Sequence, residues 1–131
     1  MNTYTSYLEL IKPTWAPPAF VFAPVWTILY IIIAISFGYV LYKYLKGKIS
    51  FNILLPFILN LIFNLSFTYI QFGLKNLPLA SIDVLLVFIT LIWGIIKISK
   101  KYKWVAYVNI PYLLWVSFAT ILQLTITFLN I

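Results

Sequence analysis

The stretch LASIDVLLVFITLIWGIIKI, Leu79 to Ile98, decides the fold. Asp83 and Lys97 are its only ionisable residues, and its length matches the roughly 20 apolar residues that a helix needs to cross a bilayer. Polar and apolar residues do not alternate along it, so it is not a strand of a membrane barrel. Three further runs share this character, approximately Ala19 to Tyr42, Phe51 to Phe72 and Trp104 to Leu129. The chain is therefore predicted to be an all-α integral membrane protein. Its four transmembrane helices, about 19–42, 51–72, 79–98 and 104–129, form a single domain over residues 1–131.

Composition agrees and removes most catalytic chemistries. Of 131 residues 64% are hydrophobic, 20% are aromatic and 8% are charged, where a soluble domain carries roughly 25% charged residues. All nine basic residues are lysine, the acids are Glu9 and Asp83, and there is no Cys, His or Arg. A thiolate nucleophile, an imidazole base, a disulfide and the usual transition-metal ligands are thereby excluded. No metal site is expected, and chemistry would have to rest on aromatic side chains or on the bound molecule itself.

The net charge of +7 does not point to nucleic acid, because the lysines gather in short loops between apolar runs. Lys43, Lys46 and Lys48 follow the first run, and Lys97, Lys100, Lys101 and Lys103 follow the third. Only Lys12 and Lys75 belong to the other side. This asymmetry predicts a multi-pass membrane protein with cytoplasmic lysine loops and both termini outside. Met1 to Pro18 lacks the basic start and apolar centre of a cleavable signal.

Prolines mark the helix starts and the expected kinks. Pro17-Pro18 and Pro78 suit first turns, where an amide has no helical partner. Pro24 and Pro111 fall inside runs and are expected to kink or open their helices, while Pro56 lies nearer an end.

Polar residues form stripes. Asn60, Asn64, Phe67 and Gln71 share one face of the second helix, and Thr120, Gln123, Thr127 and Asn130 line the fourth. Lipid offers amides no hydrogen bonds, so both faces turn inward, toward helix packing or a ligand. Asp83 is the sole acid within a span, about 7 Å along its helix. The first turns of a helix favour a negative charge, so a structural role stands beside a functional one. Trp26 and Tyr30 share a face of the first helix; Pro111, Tyr112, Trp115 and Ala119 share a face of the fourth. Trp15 and Trp104 fit interfacial anchors. Trp26 and Trp115 are roughly 12 Å deep instead, near the level of Asn64. Convergence of these faces would build an outward-opening pocket of indoles, phenols and amides.

The segments KPTWAPPAFVFAPVWTILY (Lys12 to Tyr30), NLIFNLSFTYIQF (Asn60 to Phe72), LASIDVLLV (Leu79 to Val87) and PYLLWVSFATIL (Pro111 to Leu122) together resemble the translocator protein family. Its members are also called tryptophan-rich sensory proteins, and the resemblance is closest to the bacterial branch. It covers nearly the whole chain. It implies a bundle that binds tetrapyrroles such as protoporphyrin IX and haem, commonly as a homodimer, with no required cofactor. Some bacterial members are reported to degrade protoporphyrin IX in light and oxygen through two tryptophans. By motif these are Trp26 and Trp115. The resemblance also implies ligand contacts from the loop Trp15 to Phe22 and from Asn64 and Asp83.

Two departures accompany it. The family places another transmembrane helix before the KPTWAPP segment, whereas eleven residues precede Lys12 here. A bundle of four helices is expected, with one wall missing, supplied by a partner chain or lost through a late start codon. Phe67 stands where many members have tryptophan, which keeps an aromatic wall. Sterol recognition has little support: Leu122 to Ile131 has neither Tyr nor Lys, and the pattern at Val40, Tyr42 and Lys46 is common at membrane surfaces.

A porphyrin is a flat macrocycle with two propionates and needs stacking walls and a polar rim. Trp26, Trp115, Phe67 and Tyr30 are the candidate walls, with Phe22 and Tyr112 further candidates for ligand contact; Lys12, Asn64 and Gln71 are the candidate rim. Without His or Cys, a metal-free porphyrin fits best, or haem without a strong axial ligand. The expected function is a membrane receptor or sensor for porphyrins, extended to light-dependent turnover. The alternative is a small proton-coupled multidrug-type transporter assembled as a dimer, although Glu9 precedes the first helix and Asp83 is shallow. A purely structural role would draw on Ala34 and Gly38, small residues spaced to pack helices.

Overall fold

The computed structural model describes residues 14–16, 19–70 and 76–130. A 3-10 turn, Ala19–Val21, leads into α1, Phe22–Leu45; α2 is Phe51–Thr68, α3 Leu77–Ser99, α4 Lys103–Val108 and α5 Ile110–Leu129. The helices α1 and α3 and the combined stretch Lys103–Leu129 are long and apolar enough to span a membrane. The shorter α2 is extended by a π turn at residues 69–70. Among the described residues, four helical stretches match the four predicted spans, three of them long enough to cross a membrane, in a multi-pass membrane protein.

The helix ends move from their expected places for local reasons. α1 begins at Phe22 rather than Ala19, which puts Pro24 in its first turn. There the missing amide breaks no helical bond, so the expected kink at Pro24 is not required. α1 also runs past Tyr42 to Leu45, and Gly47 then turns the chain at a φ of 74°, a conformation that favours glycine. α3 starts at Leu77, two residues early, because Asn76 Oδ1 accepts from the Leu79 amide at 3.0 Å and Pro78 occupies the first turn. Pro56 lies inside α2 and is wholly buried. The expected second-helix end at Phe72 lies outside the described residues.

The fourth span is broken. Asn109 separates α4 from α5, and Pro111 sits in the first turn of α5 rather than within a continuous helix. The Asn109 Nδ2 donates to the Val105 carbonyl at 2.8 Å and to Ser36 Oγ of α1 at 3.0 Å. The Asn109 side chain thus serves the Val105 carbonyl that its own backbone amide, turned to the Ala106 carbonyl at 3.2 Å, leaves.

α2 packs along α3, and α3 along α5; α1 meets α2 and α4 more sparsely. The core joins Leu29, Ile33, Phe37 and Val40 of α1 to Leu54 and Phe57 of α2, Val87 and Leu91 of α3, and Tyr112 and Val116 of α5. The outward residues Ile31, Ile35, Ile62, Ile89, Leu114 and Ile121 are exposed and apolar, as lipid requires. Ser81 Oγ and Thr127 Oγ1 lie 2.6 Å apart, and Gln123 Nε2 donates to Thr127 at 3.1 Å. The polar stripe of the fourth span therefore packs α5 against α3.

Candidate aromatic and amide site

Trp26 of α1 and Trp115 of α5, the two tryptophans expected to lie deep, come together through their side chains, since the two helix backbones scarcely approach each other. Trp26 and Trp115 meet edge to face, with centroids 6.5 Å apart at 87°. Tyr30, one turn along α1, lies 5.4 Å from Trp26 at 32°. Phe22 meets Trp115 at 5.9 Å, Phe118 meets it at 5.6 Å, and Trp15 reaches Phe118 at 5.8 Å. A continuous aromatic file thus runs from Trp15 to Tyr30. Trp115 Nε1 is buried and has no acceptor among the described residues.

Below this file lies an amide node that joins all four spans. Tyr30 Oη donates to Asn64 Oδ1 at 3.3 Å, and Asn64 Nδ2 donates to Tyr112 Oη at 2.6 Å. Tyr112 in turn donates to Asn60 Oδ1 at 2.9 Å. Asn60 Nδ2 completes the string at the Val87 carbonyl, 2.9 Å, and Thr90 Oγ1, 3.3 Å. The node holds Tyr30 and, through it, one side of Trp26.

Other candidates stand apart. Asp83 is buried, and its Oδ2 has no partner among the described residues. No described hydrogen bond or ring contact carries Asp83 or the half-buried Phe67 to the tryptophan pair. Gln71 and Lys12 lie outside the described residues. A cavity of about 410 Å³ lies between α1 and α2 and is almost wholly apolar. Tyr30 is the one predicted site residue that lines it, beside Ala34, Gly38, Phe57 and Leu61. The predicted faces do converge, but as closed contacts around Trp26 and Trp115. A slot for one flat ring needs parallel walls roughly 7 Å apart, whereas the indoles here are nearly perpendicular.

Sequence reasoning missed Ser36 and Asn109. Asn109 carried a signal, a lone amide two residues before a proline inside an apolar run. Ser36 carried none, because a single serine in a span bonds its own helix readily, as it does here to the Ile32 carbonyl at 2.7 Å.

A profile of the TspO/MBR family matches residues 1–129. The chain belongs to the TspO/MBR family. It is 42% identical over 126 residues to the "Tryptophan-rich protein TspO" of Bacillus cereus, covering 96% of this chain and 81% of that one. It is 32% identical over 117 residues to the "Tryptophan-rich sensory protein" of Cereibacter sphaeroides, covering 87% and 70%. The "Translocator protein" of Ovis aries is 31% identical over 127 residues, covering 89% and 70%. For a TspO/MBR protein with these spans, kinship supports a sensory or receptor role in a membrane.

Proposed function

We propose that this TspO/MBR protein is a membrane receptor for porphyrins, with protoporphyrin IX as the first ligand to test and haem as a weaker candidate. The contact between Trp26 and Trp115 carries the reading. Two indoles at membrane depth, backed by Tyr30, Phe22 and Phe118, offer stacking area to a flat aromatic macrocycle. The buried Trp115 Nε1 supplies a donor without an acceptor among the described residues, a group that a ligand carboxylate or carbonyl would satisfy. Because the indoles touch at 87°, binding must part them or seat the ring against their outer edges. Light- and oxygen-dependent degradation extends the same reading, with light absorbed by the porphyrin and electrons supplied by the indoles. We further assign the lysine-bearing end to the cytoplasm and expect a homodimer.

Titration of the purified protein with protoporphyrin IX should give saturable tryptophan quenching that weakens at least tenfold in the Trp26→Phe, Trp115→Phe double variant. Absence of saturation, or unchanged quenching in the variant, refutes receptor function. Turnover is tested separately by illumination: a bilin spectrum in wild type alone supports it, and equal bleaching in both proteins rejects it.

The buried Asp83 Oδ2, which has no partner among the described residues, favours one second reading, proton-coupled transport. Proton-dependent uptake of a hydrophobic cation by proteoliposomes, abolished by Asp83→Asn, would establish it.

A further inference from the structure

The lysine-bearing end of the bundle is more ordered than loop charges alone require. Lys43 Nζ lies 5.3 Å from the Tyr39 ring centroid, 5.8 Å from Tyr42 and 5.5 Å from Tyr102. Tyr39 packs against Tyr102 at 5.4 Å and Trp104 at 4.8 Å, so this cage spans the α1 end and the start of α4. The two lysine loops are thereby adjacent, and Lys46 joins through Tyr42 at 5.6 Å.

No carboxylate neutralises this end among the described residues. Asp83 is the only described acid, and it lies fourteen residues before Lys97 on α3, about 21 Å away along the helix axis. Lysines near the last turns of α1 and α3 are favoured by those helix termini. That explanation does not extend to Lys48, Lys101 or Lys103, and Lys103 opens α4, where a cation is unfavourable. Seven like charges in one plane need counter-ions. The tyrosines and Trp104 sit at the same level, the depth at which amphipathic rings meet headgroups.

We propose that this end is a binding surface for the phosphate of anionic phospholipid headgroups, organised around the ring-held ammonium of Lys43. Three π faces hold the ammonium in position without consuming its charge. No described hydrogen bond takes its donors, so the part of the ammonium that faces away from the rings meets phosphate oxygens, and Lys46 and Lys48 follow on the same loop. The surface is independent of the tryptophan site.

Native mass spectrometry of the full chain, released from nanodiscs of mixed phosphatidylglycerol and phosphatidylcholine, reads the preference directly. Retained lipid should be enriched in phosphatidylglycerol, and Lys43→Gln should reduce that enrichment by more than the about fivefold that any one lysine near a charged surface is worth. Lys101→Gln, outside the cage, should reduce it less. Tyr102→Leu should lower it with every charge intact, while Tyr102→Phe should preserve it. Helicity measured by circular dichroism certifies each variant, and the Gln and Phe variants decide the matter if the Leu variant does not fold. Equal enrichment in wild type and Lys43→Gln overturns the proposal, as do equal effects of Lys43→Gln and Lys101→Gln. Displacement of the lipid by millimolar inorganic phosphate would assign the surface to a soluble anion and overturn it too.

Discussion

Asn109 Nδ2 donates to Ser36 Oγ at 3.0 Å, tying the break between α4 and α5 to the middle of α1. Both residues are fully buried, and the same amide nitrogen serves the Val105 carbonyl that the break exposes. Asn109→Leu removes both bonds and should destabilise the protein by about 1–3 kcal/mol. Ser36→Ala removes one and should cost about 0.6 kcal/mol, the usual worth of an interhelical bond in a membrane. Unfolding in mixed micelles with increasing denaturing detergent measures both. Equal costs would mean that Val105 contributes nothing to the role of Asn109.

The amide node makes unequal demands on its two phenols. Tyr112→Phe leaves Asn60 Oδ1 without its donor and Asn64 Nδ2 without its acceptor, both in the interior. A loss of about 2 kcal/mol is expected. Tyr30 contributes one longer bond of 3.3 Å from a partly exposed position, so Tyr30→Phe should cost about 0.5 kcal/mol. The same unfolding assay ranks them, and a larger cost for Tyr30→Phe would contradict the node.

Gly94 is required by packing, not by backbone conformation. A Cβ added there would lie 3.2–3.3 Å from three atoms of the Phe57 ring. Phe57 cannot retreat freely, because it is buried edge-on to Phe37 at 4.9 Å. Gly94→Ala gains about 1 kcal/mol in helix propensity but overpacks by about 1–3 kcal/mol, and the net result should be a lower unfolding midpoint. Adding Phe57→Leu should make Gly94→Ala neutral or stabilising, a coupling that a double-mutant cycle isolates.

Trp26 and Trp115 are close enough for their indole transitions to couple. Near-ultraviolet circular dichroism should carry a tryptophan couplet that disappears in both Trp26→Phe and Trp115→Phe. Saturation with protoporphyrin IX should collapse it if the ligand parts the rings. A couplet that survives saturation unchanged would place the macrocycle outside the pair.

The four spans were legible because membrane solvation imposes them: runs such as Leu79 to Ile98 have no alternative in lipid. The meeting of Trp26 with Trp115 was foreseeable from matched depth, and Asn60 with Asn64 from their spacing. Helix ends were read less well, since the start of α3 at Leu77 depends on a cap at Asn76 and the start of α1 on the 3-10 turn before Phe22. The break at Asn109 escaped a reading based on Pro111 alone. Its geometry depends on Ser36, seventy-three positions away, and periodicity holds no record of such a pairing. Whether faces that converge leave a slot or close on each other is likewise a matter of ring orientation, which residue spacing does not encode.

The string from Tyr30 through Asn64, Tyr112 and Asn60 to Thr90 takes a side chain from every span. No subset of the helices satisfies it, so a partly assembled chain carries bare amides into hydrocarbon, where each finds no water to bind. The string thus makes each of these helices a condition for the stability of the others, because the loss of any one leaves polar groups of its neighbours unpaired in lipid.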